Sequence, residues 1–316
     1  MMNIPYQASS ISPHDLNIDD PCLLWAQQPD ADYIENIKHI GQLDPALITT
    51  QGSGKTLIAG YKRCMALKVL GRNILTLELD STDSYTKGLI YLSSNYGRPL
   101  KPGMIIAALR YFSDLNNLDN FIWKNLDITP GSKAQELWLS WIKLPQPWDE
   151  ILAKANISLE CAPILLKMSK NDLSFLYQFF STLSWSRNHS INFITWLQEK
   201  SIIEQTEIFQ LKIMPQLKAL LDSELSPNDK IKSIMKKLYS IRYPLMFEML
   251  ERLDSRIKEA VAGTKWRFEH KDNFESQDIT ITGQIKNQED LQKAAEQLEA
   301  IAGSNTLKNW PVNINE

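Results

Sequence analysis

Cysteine is scarce in this sequence: three residues, Cys22, Cys64 and Cys161, widely spaced and odd in number. That excludes a disulfide framework and a Cys-x-x-Cys metal knuckle, and it suits a reducing cytoplasm. No apolar run approaches the ~20 residues that a bilayer-spanning helix needs, so no membrane association is expected. Residues 1–20 lack the basic start and apolar stretch of a secretory signal. Internal repeats and low-complexity tracts are missing as well. A basic excess is also absent: 34 Lys and Arg stand against 37 Asp and Glu, for a net charge of −3. Duplex-DNA binders usually carry a basic stripe, because phosphate neutralisation supplies much of their affinity. Residues 101–200 hold ten Lys and Arg against nine Asp and Glu, so composition alone does not point to nucleic acid.

What is present is an ordinary globular composition, 43% hydrophobic and 22% charged over 316 residues, enough for about two or three cores. Residues 1–10 are expected to form a disordered leader. Apolar spacing predicts a helix over 30–40, with Tyr33, Ile34, Ile37 and Ile40 on one side and Gly41 as its stop. Strands are expected at 46–50 and 56–59, joined as a hairpin across 51–55, then a helix over 61–70 and a strand at 74–79. From Met104 to about Lys200 the chain reads as all helix. Trp123, Trp138, Trp141, Trp148, Trp185 and Trp196 fall at helical spacing beside Leu and Ile and are expected in a core rather than as base-stacking platforms. A long helix over 229–261, bent at Pro244, precedes two short strands (265–268 and 279–285) and a helix over 289–301.

One motif misleads. Gly52-Ser53-Gly54-Lys55-Thr56 invites a phosphate-loop reading, but the first glycine of that motif would fall at Thr49, and Leu57-Ile58-Ala59 reads as a strand where a helix is required. A glycine-rich hairpin turn is the expectation.

Three other segments, in order, fit one pattern. They are Gly41-Gln42-Leu43-Asp44-Pro45 before a strand; Leu57-Ile58-Ala59-Gly60-Tyr61-Lys62-Arg63-Cys64-Met65-Ala66-Leu67, a strand, a glycine and a basic helix start; and Asn95-Tyr96-Gly97-Arg98, closing a helix. A glycine between strand and helix lets a ligand approach the backbone, and the free N–H groups of the helix start favour an anion. Arg63 can add a forked charge-assisted contact, and Asn95 and Arg98 share a helical face. Across roughly residues 10–100 these boxes resemble the N-terminal domain of the ParB family of partition proteins. The resemblance implies an α+β protein: a small mixed α/β ParB/sulfiredoxin-like domain (11–100), an all-helical middle with a helix-turn-helix (101–225), and a small αββα tail suited to dimerisation (226–316).

It also implies a nucleoside triphosphate, typically CTP with Mg²⁺, held at Gly60, Lys62, Arg63, Asn95 and Arg98. The charged positions differ from the family pattern: Tyr61 stands for the box glutamate, Lys62 for the first arginine, Ser94 for the carboxylate before the asparagine, and Cys22 for an arginine after Pro21. Sulfiredoxin, on the same fold, has its reactive cysteine where this chain has Tyr61, and Cys64, one turn on, is expected as a packed thiol. Ile142-Lys143-Leu144-Pro145 and the two short helices after it resemble the end of the family's helix-turn-helix. That puts the recognition helix within 127–140, with Ser132, Lys133 and Gln135 as DNA-contacting candidates; the same residue types also occur on any solvated helix face.

The expected function is DNA partition or DNA-associated regulation in the bacterial cytoplasm or nucleoid, by a homodimer that can act with a partition ATPase. The alternative is a protein–protein adaptor that keeps the fold without binding nucleotide or DNA. An enzyme, at most a slow nucleoside triphosphate hydrolase, would need carboxylates near the boxes, for which Asp44, Glu78 and Asp80 are the candidates.

Overall fold

A computed structural model describes residues 7–51, 54–80, 82–270 and 279–303 of the chain. The protein is α+β and divides into two compact units, residues 1–231 and 232–316.

The first unit is built on a five-stranded sheet in the order β1-β5-β3-β4-β2. Its strands are β1 (Gln7–Ile11), β2 (Leu16–Asn17), β3 (Ala46–Gln51), β4 (Gly54–Ala59) and β5 (Ile74–Leu79). The β3–β4 and β1–β5 pairs are antiparallel, while β5–β3 and β4–β2 are parallel. Consecutive residues of a strand face opposite sides, and β4 uses both. Leu57 packs with Ile48 and Ile74 in one core cluster, whereas Ile58 joins Cys22 and Leu79 in another. Helices α1 (Ala31–Ile40) and α2 (Tyr61–Val69) cover the first face through Ile37, Cys64, Ala66 and Leu67. Helix α3 (Ser84–Ser94) lies on the second, with Ile90 against its cluster. Cys64 is fully buried, as expected of a packed thiol, and burial raises its pKa.

The expected leader is a correction. Residues 7–10 belong to β1, which pairs with β5 from Gln7 opposite Glu78 to Ile11 opposite Ile74. The strand is polar because it sits at the sheet edge; Ser9 Oγ hydrogen-bonds Thr76 Oγ1 at 2.9 Å, and Thr76 donates to the Ser9 carbonyl at 3.1 Å. Residues 1–6 of that expectation lie outside the described residues. So do Gly52 and Ser53 of the hairpin turn. Gly54–Ala59 form a strand where a phosphate loop would need a helix, and Lys55 pairs with Glu78 at 3.2 Å.

Beyond α3 the first unit is helical: α4 (Pro102–Asp114), α5 (Asn120–Asn125), α6 (Lys133–Trp141), α7 (Pro147–Ala153), α8 (Ala162–Leu165), α9 (Lys170–Thr182), α10 (Arg187–Glu204) and α11 (Met214–Leu221). Helix α12 (Pro227–Arg242) carries the chain into the second unit. Trp123, Trp138, Trp141, Trp148 and Trp185 are buried, as their spacing predicts, and Trp196 is half-buried. Several of these helices end the same way. After α5, Asp127 takes a left-handed conformation (φ 57°) and the Ile128 N–H returns to the Trp123 carbonyl at 2.9 Å. Asn116 and Ala155 do the same after α4 and α7. Such closures satisfy carbonyls that a helix end leaves orphaned.

In the second unit the expected long helix is divided. Tyr243 leaves the helical region (φ −132°, ψ 64°) and Pro244 opens α13 (Pro244–Val261), because proline can start a helix but cannot continue one. Strands β6 (Trp266–His270) and β7 (Ile279–Gly283) pair antiparallel, and α14 (Gln288–Gly303) covers them. Trp266 lies over Gly283, where an added Cβ would meet its ring at 2.8 Å, and its indole N–H donates to the Ala294 carbonyl at 2.7 Å.

Candidate functional site

Strand β4 runs into α2 through Gly60, and that junction opens a cleft of about 380 Å³. Gly60 has a left-handed φ of 101°, and an added Cβ would come within 2.9 Å of Ala46 Cβ. Both constraints demand glycine. With no side chain at this position to cap it, the first turn of α2 keeps its N–H groups turned to the cleft end of the helix.

All five expected nucleotide-binding residues, Gly60, Lys62, Arg63, Asn95 and Arg98, line this one cleft. The first three come from the start of α2. Asn95 is the C-cap of α3, which packs on the opposite face of the sheet, and Arg98 lies on the turn after it, past Gly97 (φ 79°), so the two do not share a helical face. The glycine–proline loop contributes Asp44 to the lining. Gln42 pins that loop to β5, donating to the Leu75 carbonyl and accepting the Leu75 N–H, at 2.8 and 2.7 Å.

Arg63 differs from its expected use. Its Nη1 donates to the Asp44 carbonyl at 2.7 Å and the Pro45 carbonyl at 3.0 Å, so half of the fork holds the loop. Its Nη2 reaches over Gly60, 3.2 Å from the position of an added Cβ. Arg98 is exposed, and its Nη1 donates to Asn95 Oδ1 at 3.1 Å. Asn95 in turn donates to the Tyr91 carbonyl and to Ser94 Oγ, at 2.9 and 3.2 Å. Lys62 stands 3.9 Å from Asp30 Oδ2 and above the Tyr33 ring. Of the three candidate acids for enzyme chemistry, Asp44 lines the cleft, while Glu78 and Asp80 do not. Glu78 is engaged by Thr50 and Lys55, and the Thr50 hydroxyl chiefly holds its pKa down.

The cleft also contains residues that sequence patterning missed. Trp25 and Tyr91 form part of its wall and meet edge-to-face with ring centroids 4.9 Å apart. Burial pushes the Tyr91 pKa up to about 12, so its phenol stays neutral. Trp25 lies outside any regular element, so no periodicity could flag it. The two walls are tied beneath the surface: Lys87 on α3 pairs with Asp20 at 2.8 Å, their side chains 4% and 15% exposed. Asp20 also accepts the Cys22 N–H at 2.9 Å, which anchors the segment leading to Trp25.

The DNA-contacting candidates lie at the start of α6. Ser132 caps that helix by accepting the Gln135 N–H at 3.3 Å. Gln135 turns back as well, its Oε1 accepting the Gly131 N–H at 2.6 Å, so its oxygen serves the helix start rather than an outside partner. Lys133 is exposed. Helix α6 itself is fixed by a network around Arg110 of α4. Arg110 donates to both carboxylate oxygens of Asp149, at 2.7 and 2.9 Å, and to the carbonyls of Ile142 and Leu144. The Trp141 indole N–H completes the network on Asp149 at 3.0 Å.

No family model matches the chain, and no curated protein matches it. Solved structures do. The C-terminally truncated chromosome-partitioning protein ParB from Caulobacter crescentus, solved with the centromeric parS site, matches over 59% of this chain and 98% of its own. The identity is 12% and the TM-score 0.35. A pNOB8-like ParB-N domain matches over 75% of this chain and 99% of its own, at 18% identity and a TM-score of 0.37. A further pNOB8-like ParB N-domain covers 75% and 98%, at 15% identity and a TM-score of 0.34. Between residues 31 and 94 the element order is the one that the sequence pattern predicts: helix, glycine–proline loop, hairpin, glycine-started helix, strand and closing helix. Among the described residues no helix is long and apolar enough to cross a membrane.

Proposed function

We propose that this chain is a ParB-like DNA-partition or DNA-associated regulatory protein whose N-terminal cleft takes a nucleotide. The observation that carries the reading is convergence: Gly60, Lys62, Arg63, Asn95 and Arg98, from two boxes far apart in sequence, wall a single cleft. Its volume of about 380 Å³ suits a small ligand. Three side-chain cations against one carboxylate, beside an uncapped helix start, suit phosphate. CTP is the nucleotide that the box resemblance implies. The Mg²⁺ that would accompany it finds a poor ligand set, since Asp44 is the sole carboxylate of the lining and no group of three His, Cys, Asp or Glu residues forms among the described residues. No catalytic step is assigned. In this reading Lys133 and the exposed start of α6 meet DNA phosphate or base edges, residues 226–316 pair two copies, and a partition ATPase is a partner in the bacterial cytoplasm.

The test is calorimetric titration of the full chain with CTP and the other nucleoside triphosphates, repeated on Arg98→Ala. Arg98 is exposed and bonds only to Asn95 among the described residues, so the variant keeps its fold. CTP binding that weakens about tenfold in the variant is the expected result. Wild-type binding to none of the nucleotides would sink the reading.

A second reading is favoured by one observation. Arg63 and Gln135, two residues expected to reach outward, are both turned onto their own backbone. That is what an adaptor lacking nucleotide and DNA would retain, and absence of all nucleotide binding would select it.

A further inference from the structure

The implied divalent cation and the observed cleft disagree, and the disagreement has a chemical consequence. We infer that the cleft binds its nucleotide as the free anion, without a divalent cation, using Lys62, Arg63, Arg98 and the first turn of α2 to neutralise the phosphates. This rests on the nucleotide reading above.

Mg²⁺ is a hard cation that a protein holds through one or two carboxylates besides phosphate oxygens. The wall contributed by the end of α3 offers none: it presents Ser94, Asn95 and Arg98. Ser94 Oγ donates to the Tyr91 carbonyl at 2.8 Å, so its proton is committed inward. Asn95 Oδ1, the neutral hard oxygen of this wall, accepts from the Arg98 guanidinium. A metal ion placed there would meet that cation at close range. On the opposite wall the Asp44 carbonyl is filled by Arg63, and the Asp44 carboxylate is exposed on the loop.

The same residues suit bare phosphate. The Arg63 Nη2 edge lies over Gly60, beside the uncapped first turn of α2, so a guanidinium edge and helix N–H groups face the same part of the cleft. Lys62 and Arg98 flank it from the two walls. Three fixed cations do the neutralising that a metal would otherwise do, and a triphosphate already complexed by Mg²⁺ carries two fewer negative charges for them to attract. Added Mg²⁺ therefore competes with the protein for the phosphates.

The experiment is calorimetric titration of CTP into the full chain in EDTA, and again with excess Mg²⁺, for the wild type and Ser94→Glu. In the wild type, CTP is expected to bind in EDTA and to bind about three- to tenfold more weakly with Mg²⁺. Ser94 is exposed, so a glutamate is accommodated there. It sets a carboxylate beside the phosphates and should invert the dependence, weakening binding in EDTA and restoring it with Mg²⁺. Wild-type binding that requires Mg²⁺ overturns this inference while leaving the nucleotide reading intact. No CTP binding under either condition overturns both.

Discussion

Arg98 and Arg110 are the same residue in two regions of one unit, and they are used in opposite ways. In the helical region Arg110 is enclosed, with Nε, Nη1 and Nη2 all donating to one carboxylate and two carbonyls. In the cleft Arg98 is exposed and gives one hydrogen bond to a neighbour three positions away. A guanidinium has five N–H donors in a fixed fork. When an enclosing structure occupies the fork, the residue is architecture. When most of the fork faces solvent beside other cations, it is a capacity for an outside anion. Arg63 stands between the two, with Nη1 structural and Nη2 over the cleft.

Breaking the enclosed site gives the largest expected effect. Arg110→Ala leaves two carbonyls without their donor and Asp149 with the Trp141 indole alone, and should cost about 3 kcal/mol of stability, read as a shift of the denaturation midpoint in urea. A loss below about 1 kcal/mol would mean that Arg110 is no more structural than Arg98.

The buried pair under the cleft comes next. Lys87→Met should cost about 2 kcal/mol at neutral pH. Partial burial works against the Asp20 charge, yet Lys87 and the Cys22 N–H hold its pKa below the ordinary carboxylate value. A carboxyl whose pKa is lowered by folding contributes stability that is present above its unfolded pKa and is lost as pH falls through the folded one. Removing Lys87 takes that contribution away, so the acid-unfolding midpoint should move to higher pH. An unmoved midpoint would show that Lys87 does not govern Asp20.

Arg98→Ala sharpens the contrast from the other side. Its stability should stay within about 0.5 kcal/mol of the wild type by urea denaturation, because an exposed side chain with one local partner contributes little. A loss comparable to that of Arg110→Ala would make the cleft arginine structural too.

The parts legible in the sequence were those in which one segment carries its own signal. Ile37 is buried on α1 as the apolar spacing predicts, the tryptophans form core, and the strand at 74–79 has the expected ends. The cleft residues were expected from the resemblance of three ordered boxes, and of them Gly60 alone answers a local demand of the backbone, its left-handed φ at a strand–helix junction. What stayed hidden depends on partners far along the chain. The sequence Gln7-Ala8-Ser9-Ser10-Ile11 is too polar to declare a strand, and only β5, more than sixty positions later, makes it one. Asp20 with Lys87 and Arg110 with Asp149 are likewise separated by 67 and 39 positions, and no local pattern links them. The turning inward of Arg63 and Gln135 was equally invisible, since a side chain's direction is set by which carbonyl or N–H lies within reach.

The connection between the first two strands constrains the shape of the whole sheet. β1 and β2 are its opposite edges, yet only residues 12–15 separate them. Four strand spacings amount to about 19 Å across a flat sheet, and five Cα steps from Ile11 to Leu16 reach at most about 17 Å even when fully extended. These residues are not extended, because 13–15 form a 3₁₀ turn. A flat sheet is therefore geometrically impossible here. The sheet has to coil until its edges approach, and it does so far enough that Ile11 from one edge and Leu16 from the other pack into the same cluster around Ile48 and Leu57. The short tether acts as a drawstring, so the coil of this open sheet is set by the length of the chain between its edges.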